Sequence, residues 1–397
     1  MVTSEIADYS GIHGTPSDYF SPTSVIQLKD FLKNNPLKAI RIGGGLTGVS
    51  GGAVPLSHEC FLDLSKLTRI EWYDEDAGII ACEAGVTMQD LLQFAQSKGW
   101  DFPVIPGSLS HATIGGMVAC NGGGPRSLKY GKIGNYILAV DILTPMGETI
   151  HVGGKATKIS QGISDKSIWI GSEGTLGIIT KVHVRCTPQV PPLHFKRIAC
   201  NSLTELMHVI PSLLKLDPSI LELASKDALK FTSMVNEHVI WVGFTNPTEI
   251  SLNESFNITD ETEAILEERF NIGHKLQGYK PFLDLDVSFP IKHSTSAVNA
   301  LSQLLDEHQL EHIVFGHAGD GNYHIHVFFD DNRMVWENIQ VHFDEIITAH
   351  EGFISGEHGI GRIHSERYRS KVSDWNKNIY TALKSCLDPN NQLPSLI

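Results

Sequence analysis

Hydrophobic and polar positions alternate along short segments of the first half of the chain, and these segments end at glycines or turn residues. Lys38–Ile42 predicts a strand that stops at Gly43-Gly44-Gly45, and Ile178–Arg185 predicts one with two distinct faces. Met88–Lys98 has apolar residues at helical spacing, with Thr87 as its N-cap. Further strands are predicted at Phe61–Leu64, Ile79–Ala84, Ile137–Thr144 and Thr149–Val152.

The pattern changes after the segment Thr187-Pro188-Gln189-Val190-Pro191-Pro192, whose three prolines suit a linker. Beyond this segment, predicted helices alternate with predicted strands, which indicates a layered α+β domain. The predicted helices are Leu203–Leu216, interrupted at Pro211, and Thr259–Phe270, Thr295–His308 and Met334–Ala349. The predicted strands are Val239–Thr245, Asp284–Phe289 and Ile313–Phe315.

Size and charge narrow the class of protein. The 397 residues are enough for two or three domains, at roughly 100–200 residues per domain. The formal net charge is −14, from 31 basic and 45 acidic residues, which argues against a nucleic-acid partner. No apolar run approaches the roughly 18 residues of a transmembrane segment. The polar start of the chain, Met1–Thr15, is unlike a secretory signal.

The six cysteines are scattered, without a Cys-x-x-Cys pair. This spacing argues against an iron–sulfur cluster or a zinc ribbon. It fits reduced thiols, and we expect a cytoplasmic protein that could lie at a membrane periphery through an electron-acceptor partner.

Two glycine-rich segments near the end of the chain concentrate histidines and a carboxylate. The first is Gly316-His317-Ala318-Gly319-Asp320-Gly321-Asn322-Tyr323-His324-Ile325-His326, and the second is Gly356-Glu357-His358-Gly359-Ile360-Gly361. On a strand, His324 and His326 share a face, and a turn at Asp320-Gly321-Asn322 brings His317 back toward them. The hairpin would thus supply two ligands, with Glu357 of the second segment as a third. Three protein ligands with an open position are typical of a catalytic metal site.

Glycine-dense segments recur in the first half, at residues 43–48, 106–108, 113–116, 121–124 and 171–177. Glycine allows a close backbone approach, so that successive amides can point at one anion. The Gly43–Gly48 stretch lacks the helix and the acidic residue of a Rossmann fingerprint. The number of such loops nevertheless favours a bound dinucleotide pyrophosphate.

These segments resemble a known family. Arg41–Gly48, Pro106-Gly107-Ser108, Ala112–Gly116 and Gly171–Gly177 resemble the FAD-binding domain of the vanillyl-alcohol oxidase and p-cresol methylhydroxylase superfamily. The two histidine segments resemble its D-lactate dehydrogenase, glycolate oxidase large-subunit and D-2-hydroxyglutarate dehydrogenase branch. The resemblance covers nearly the whole chain.

The resemblance implies an α+β fold. Residues 1–187 would form a two-subdomain FAD-binding domain, residues 188–360 an α+β cap domain with an antiparallel sheet that carries the metal site, and residues 361–397 a segment returning to the FAD domain. The residues expected at the flavin are Arg41, Gly43, Gly44, Gly45, Leu46, Thr47, Gly48, Pro106, Gly107, Ser108, Thr113, Gly115, Gly116, Asn121, Gly122, Gly123, Glu173, Gly174, Gly177 and Ile178.

The resemblance also implies the site residues of the second half. His317, His324 and Glu357 would bind a divalent metal, for which zinc suits the ligand set and manganese or iron stay open. His358 would be the catalytic base. Arg269, Asn322 and His326 are assigned to the substrate.

Three positions depart from the family pattern. His364 stands where a lysine is common, Asp284 stands at the start of a strand that often opens with a lysine, and His326 stands where an asparagine is common. The substrate is therefore the least defined part of the site.

Together these residues indicate an FAD- and metal-dependent dehydrogenase that oxidises a D-2-hydroxy acid to the 2-oxo acid. D-lactate is the first candidate, and glycolate and D-2-hydroxyglutarate remain open. The electrons would pass to a quinone, a cytochrome or an electron-transfer flavoprotein, and the protein could be a homodimer or a subunit of a larger complex. The alternatives are a non-catalytic FAD-binding subunit and a metal hydrolase, although the hydrolase leaves the glycine loops unexplained.

Overall fold

The strands and helices belong to two units, and each unit has β-sheet structure of its own. The computed structural model describes residues 4–233, 235–262, 264–276, 279–330 and 333–397. The first unit contains the chain up to Gly124, Gly131–Val190 and His358–Ile397; the second contains Pro125–Tyr130 and Pro191–Glu357. Within the described residues, no helix combines the length and apolar composition that a membrane crossing would need.

The strands, in chain order, are β1 (Ile6–Ala7), β2 (His13–Gly14), β3 (Asp18–Phe20), β4 (Ile40–Gly43), β5 (Cys60–Asp63), β6 (Ile70–Asp74), β7 (Ile79–Glu83), β8 (Trp100–Asp101), β9 (Ile137–Leu143), β10 (Thr149–Gly153), β11 (Ile178–Arg185), β12 (Thr187–Pro188), β13 (His194–Cys200), β14 (Ile220–Ala224), β15 (His238–Phe244), β16 (Asn257–Glu261), β17 (Phe282–Ser288), β18 (His312–His317) and β19 (Asn322–Phe328). The helices are α1 (Val25–Asn34), α2 (Met88–Gln96), α3 (Ile114–Cys120), α4 (Ser127–Tyr130), α5 (Leu203–His208), α6 (Ile210–Leu214), α7 (Lys226–Leu229), α8 (Ile265–Lys275), α9 (Ile291–Glu307), α10 (Arg333–Ala349), α11 (Ser365–Lys371) and α12 (Asp374–Leu387).

The first unit is built on a five-stranded antiparallel sheet, in the order β10-β9-β11-β7-β6, and a parallel three-stranded sheet, β3-β5-β4. Helix α2 is capped by Thr87, whose side chain accepts the N–H of Asp90, so the predicted N-cap is confirmed. Helix α3 packs closely against the end of β7: a Cβ on Gly115 would lie 2.6 Å from the Cβ of Ala84, the residue after that strand. The buried core includes Leu28, Leu62, Leu143, Ile178 and Leu393.

The C-terminal segment of the first unit is attached by buried polar contacts. Glu173 accepts the backbone N–H groups of Ile360 and Gly361 at 2.8 and 2.7 Å. The ammonium of Lys384 donates to the carboxylate of Asp388 at 2.7 Å and to the carbonyls of Thr175, Leu393 and Pro394 at 2.8–2.9 Å. Helices α11 and α12 in this segment were not predicted from the sequence.

The second unit is organised by a seven-stranded antiparallel sheet, in the order β16-β13-β15-β14-β18-β19-β17. One face carries a buried apolar cluster that includes Trp241, Ile272, Leu276, Ile313 and Phe315. The α+β fold with an antiparallel sheet in the second half is therefore confirmed. Strands β13 and β14 were missed at the sequence level.

The structure corrects three local predictions. Thr259–Glu261 is not helical: it is part of the edge strand β16, because its backbone pairs with Phe195 and Arg197 of β13. Helix α8 begins at Ile265, and residue 263 of the predicted helix lies outside the described residues. The 113–116 segment is not a loop but the N-cap and first turn of α3. Thr187–Pro188, predicted as linker, pairs with Trp100–Asp101 as a short strand.

Candidate metal and flavin sites

A β-hairpin brings two of the predicted metal ligands together. Strands β18 and β19 pair with His317 opposite Asn322 and Phe315 opposite His324. The turn between them contains Gly321 at φ +75°, a left-handed conformation that favours glycine. His324 and His326 alternate along β19, so the prediction that they share a face is confirmed.

The ring nitrogens of this hairpin meet the carboxylate of Glu357. Its Oε1 lies 3.1 Å from Nε2 of His317 and 3.4 Å from Nε2 of His324. One donor atom from each of the three residues falls within 4.8 Å of the others. Both histidines are buried, with exposures of 8% and 4%, so these atoms converge in an environment that excludes most water.

Asp286, on β17, shapes the loop that carries Glu357. It is fully buried and lies opposite His324 across the β17–β19 pair. Its Oδ2 accepts the backbone N–H groups of Gly356 and Glu357 at 2.9 and 2.8 Å, and the hydroxyl of Ser355 at 3.1 Å. Its Oδ1 lies 3.7 Å from Nδ1 of His324.

Glu222, on β14, is a second fully buried carboxylate of the site, and sequence reasoning missed it. Its Oε1 lies 2.5 Å from Nδ1 of His317, and its Oε2 lies 2.9 Å from Nε of Arg269. Burial raises the pKa of this carboxyl, but the charges of His317 and Arg269 outweigh burial and hold the pKa below its ordinary value. The available signal was an acidic residue inside the apolar segment Ile220–Ala224, since a buried charge requires a partner.

The three predicted substrate residues already have partners within the second unit. The guanidinium of Arg269 lies over the ring of Phe315, at 4.6 Å, besides its contact with Glu222. The amide of Asn322 donates to Asp286 at 2.7 Å and to the carbonyl of Val287 at 3.0 Å. His326 stacks on Phe282 and lies 3.2 Å from the carboxylate of Asp284.

His358, the predicted base, is the first residue of the C-terminal segment of the first unit. Its side chain is half-buried, and its carbonyl accepts the hydroxyl of Ser50 at 3.1 Å. His364 is buried six residues later and lies 3.2 Å from a guanidinium nitrogen of Arg367, at the start of α11.

In the first unit, the glycine segments gather around α3. A Cβ on Gly44 would lie 2.4 Å from Oγ1 of Thr113, the N-cap of α3, and one on Gly45 would lie 1.8 Å from the carbonyl of His111. At the other end of α3, the backbone N–H of Gly171 donates to the carbonyl of Val118 at 3.0 Å. The backbone N–H of Glu173 donates to the carbonyl of Ala119 at 2.8 Å. The structure thus brings together the segments at 43–45, 111–113 and 171–173.

Three non-glycine residues of these segments adopt positive φ: Leu46 at 52°, Asn121 at 51° and Glu173 at 51°. Such conformations cost free energy and persist where the surroundings enforce them, often at ligand sites. Their coincidence with bare glycine backbone fits a cradle for an extended dinucleotide.

Other predicted flavin residues have structural contacts of their own. The guanidinium of Arg41 is buried against Glu59, at 2.8 and 3.0 Å. Gly177 allows close packing, since its Cβ would lie 2.6 Å from Ile142, and Ile178 lies in the core. The carbonyl of Ser108 accepts the N–H groups of His111 and Ala112. The remaining predicted flavin residues (Gly43, Thr47, Gly48, Pro106, Gly107, Gly116, Gly122, Gly123 and Gly174) all belong to the first unit.

Comparison with known proteins identifies the family. A profile described as "FAD binding domain" matches residues 16–153, and one described as "FAD linked oxidases, C-terminal domain" matches residues 197–395. The chain belongs to the FAD-linked oxidases. The protein is therefore an FAD-dependent oxidoreductase, and the predicted flavin cofactor is confirmed.

Relatives in this family include named hydroxy acid dehydrogenases. D-lactate dehydrogenase of Archaeoglobus fulgidus is 32% identical over 376 residues, which cover 88% of this chain and 83% of the relative. D-lactate dehydrogenase of Anaerostipes hadrus is 30% identical over 387 residues, covering 87% and 81%. Mitochondrial D-2-hydroxyglutarate dehydrogenase of Arabidopsis thaliana is 27% identical over 408 residues, covering 93% and 72%.

A solved structure of alkyldihydroxyacetonephosphate synthase superimposes with a TM-score of 0.73 at 15% identity, covering 96% of this chain and 76% of the other. At this identity the likeness concerns the fold alone. It supports the predicted vanillyl-alcohol oxidase-type architecture.

Proposed function

We propose that this FAD-linked oxidase is a metal-dependent dehydrogenase that oxidises a small D-2-hydroxy acid, D-lactate in the first place, to the 2-oxo acid. The observation that carries the proposal is the convergence of two imidazole Nε2 atoms and the Glu357 carboxylate within 4.8 Å. The names of the 32% and 30% identical relatives support D-lactate as the first candidate.

The residues of the second unit fit a divalent metal. The Nε2 atoms of His317 and His324 face the same carboxylate oxygen, and the carboxylate of Glu222 lies behind Nδ1 of His317. A carboxylate behind a ligating histidine is a common arrangement in metalloproteins. A metal held by these residues would act as a Lewis acid and lower the pKa of the 2-hydroxyl group. Two imidazoles and a carboxylate suit zinc, and manganese and iron remain candidates.

His358 is proposed as the base that accepts the hydroxyl proton. The ordinary pKa of imidazole, about 6.5, suits proton transfer near neutral pH. Its neighbour in sequence is the proposed ligand Glu357. The glycine segments around α3 are proposed to hold FAD, which accepts the hydride from C2 of the substrate when bound.

The remaining proposals concern the surroundings of the enzyme. Electrons would leave the flavin to a quinone, a cytochrome or an electron-transfer flavoprotein. We propose a cytoplasmic protein, with any membrane association made through that acceptor, as a homodimer or as part of a larger complex.

Anaerobic flavin bleaching tests the proposed function. The purified yellow protein is mixed with D-lactate, glycolate, D-2-hydroxyglutarate and L-lactate, and absorbance is followed together with metal content. We expect D-lactate to bleach the flavin fastest, L-lactate to leave it oxidised, and about one divalent metal to bind per chain. Flavin that stays oxidised with every acid would contradict the proposal and support a non-catalytic subunit.

A further inference from the structure

Glu222 connects a proposed metal ligand to a buried arginine. One of its oxygens lies 2.5 Å from Nδ1 of His317, and the other lies 2.9 Å from Nε of Arg269. Glu222 is fully buried and Arg269 is 6% exposed, so this chain of contacts lies inside the second unit. Glu222 approaches the ring of His317 from the side opposite to Glu357, which contacts Nε2.

Arg269 also packs against an aromatic ring of the same unit. Its guanidinium lies over the ring of Phe315, with the central carbon 4.6 Å from the ring centroid. Phe315 is two residues before His317 on β18, so both side chains are on the same face of the sheet. The guanidinium therefore contacts both this ring and the carboxylate of Glu222.

We propose that Arg269 and Glu222 are positioning residues that hold the ring of His317 in its metal-binding orientation and tautomer. In the metal-binding tautomer, the Nδ1–H group donates a hydrogen bond to Glu222, which leaves the lone pair of Nε2 available to a metal bound beside Glu357. Arg269 supplies the positive charge that keeps Glu222 in place. The inference rests on the proposed metal set, and it assigns Arg269 an action through Glu222 instead of on the substrate carboxylate.

Asp286 has a different task, although it too lies behind a histidine. Its oxygens accept from Asn322, Ser355, Gly356 and Glu357. Its distance of 3.7 Å from Nδ1 of His324 is longer than a hydrogen bond. Asp286 therefore builds the loop, whereas Glu222 acts directly on the ring.

Metal affinity of the flavoprotein tests the proposal without relying on turnover. The purified holoprotein is stripped with a chelator, dialysed and titrated with Zn²⁺ in competition with a chromophoric chelator. Glu222→Gln keeps the shape and an acceptor oxygen but removes the charge, and we expect its Zn²⁺ affinity to fall roughly 10–100-fold. Flavin content should not change. Glu311→Gln is the matched control, because Glu311 contacts Lys280 in the same unit and is 45% exposed.

Variants of Arg269 show whether it acts through Glu222. We expect Arg269→Gln to weaken Zn²⁺ binding, Arg269→Lys to restore most of the affinity, and the double variant with Glu222→Gln to be no weaker than Glu222→Gln alone. If Glu222→Gln does not fold, the Zn²⁺ affinities of Arg269→Lys and Arg269→Gln are compared instead.

The outcomes separate this inference from the proposed function. If Glu222→Gln binds Zn²⁺ as tightly as the wild type, the positioning role is wrong while the metal site stands. If Arg269→Gln keeps its Zn²⁺ affinity but needs far more D-lactate for half-maximal flavin reduction, Arg269 contacts the substrate instead. A wild-type protein that binds no divalent metal overturns both proposals.

Discussion

Asp286 accepts the backbone N–H of Glu357 at 2.8 Å, across 71 residues of sequence. The same carboxylate binds Ser355, Gly356 and Asn322, and it is fully buried. We expect Asp286→Asn to destabilise the second unit by about 2–4 kcal/mol, because an amide NH₂ would face backbone donors in place of an acceptor. Thermal unfolding followed by circular dichroism measures the effect.

The control for this variant is Asp330→Asn. The side chain of Asp330 is 71% exposed and pairs with Lys280 at the surface. We expect a change within about 0.5 kcal/mol, as is usual for surface substitutions. Equal melting temperatures for the two variants would show that Asp286 does not support the loop.

Mutation should distinguish the roles of the adjacent residues Glu357 and His358. We expect His358→Asn to lower the rate of flavin reduction roughly 10²–10⁴-fold while metal and flavin remain bound, because asparagine has a similar size but no basic nitrogen. Glu357→Gln should instead lose metal. Stopped-flow reduction and metal analysis of both variants decide the matter, and near-normal reduction by metal-bearing His358→Asn would remove His358 from the mechanism.

Chelation should abolish turnover and leave the flavin in place. The proposed metal ligands belong to the second unit up to Glu357, whereas the glycine segments belong to the first. We expect the visible flavin spectrum to persist after treatment with a strong chelator, and Zn²⁺ to restore activity. Loss of flavin with activity retained in the remaining holoprotein would contradict the assignment of His317, His324 and Glu357.

Two glycines of one loop should respond differently to alanine. A Cβ on Gly45 would lie 1.8 Å from the carbonyl oxygen of His111, whereas one on Gly48 meets only Asp8 Oδ2, at 3.4 Å, among the described residues. We expect Gly45→Ala to destabilise the first unit, because backbone must move, and Gly48→Ala to leave the melting temperature of the apoprotein nearly unchanged.

Flavin retention during dialysis then tests whether this loop binds the FAD pyrophosphate. If the pyrophosphate lies against Gly48, Gly48→Ala should release FAD faster than the wild type does. A wild-type release rate in Gly48→Ala would place the pyrophosphate elsewhere.

His238 should make stability depend on pH below neutrality. Burial, together with the charge of Lys226, lowers the pKa of its imidazole to about 4, and its Nδ1 accepts the backbone N–H of Lys226 at 3.1 Å. The unfolded chain has a histidine pKa of about 6.5. Since the folded pKa is the lower one, the stabilisation is complete above pH 6.5 and is lost as pH falls toward 4.

His238→Asn keeps an acceptor for Lys226 without a titrating ring. Between pH 7.5 and pH 5, we expect the wild type to lose about 1–2 kcal/mol more than this variant does. His342→Asn is the control, since that side chain is 75% exposed. Parallel stability curves for wild type and His238→Asn would contradict the prediction.

The hairpin part of the site was predictable because its information is local. The alternation of His324 with Ile325 and His326 indicated a shared face, and the glycine turn indicated the return of His317. Glu222 and Asp286 were not predictable in this way. They contact ligands or loops 95 and 71 residues away, through the strand order β14-β18-β19-β17, which no local pattern specifies.

For the glycine segments, the local pattern predicted the site but not the backbone conformation. Their density predicted a dinucleotide cradle, but it also led to the wrong assignment of residues 113–116 as a loop. Gly115 is helical because α3 must approach Ala84 closely, a tertiary requirement that overrides the low helix propensity of glycine. Strand β16 was misread for a similar reason, since pairing with β13 decides the conformation of Thr259–Glu261.

The buried contacts of Glu173 and Lys384 delay the folding of the first unit during synthesis. Glu173 is synthesised 187 residues before its hydrogen-bond partner Ile360, and Thr175 is synthesised 209 residues before its partner Lys384. At about 5–20 residues per second, a ribosome needs roughly 10–40 s to make that length. Residues Pro191–Glu357 of the second unit are made in this interval, so the first unit remains incomplete until they have been translated.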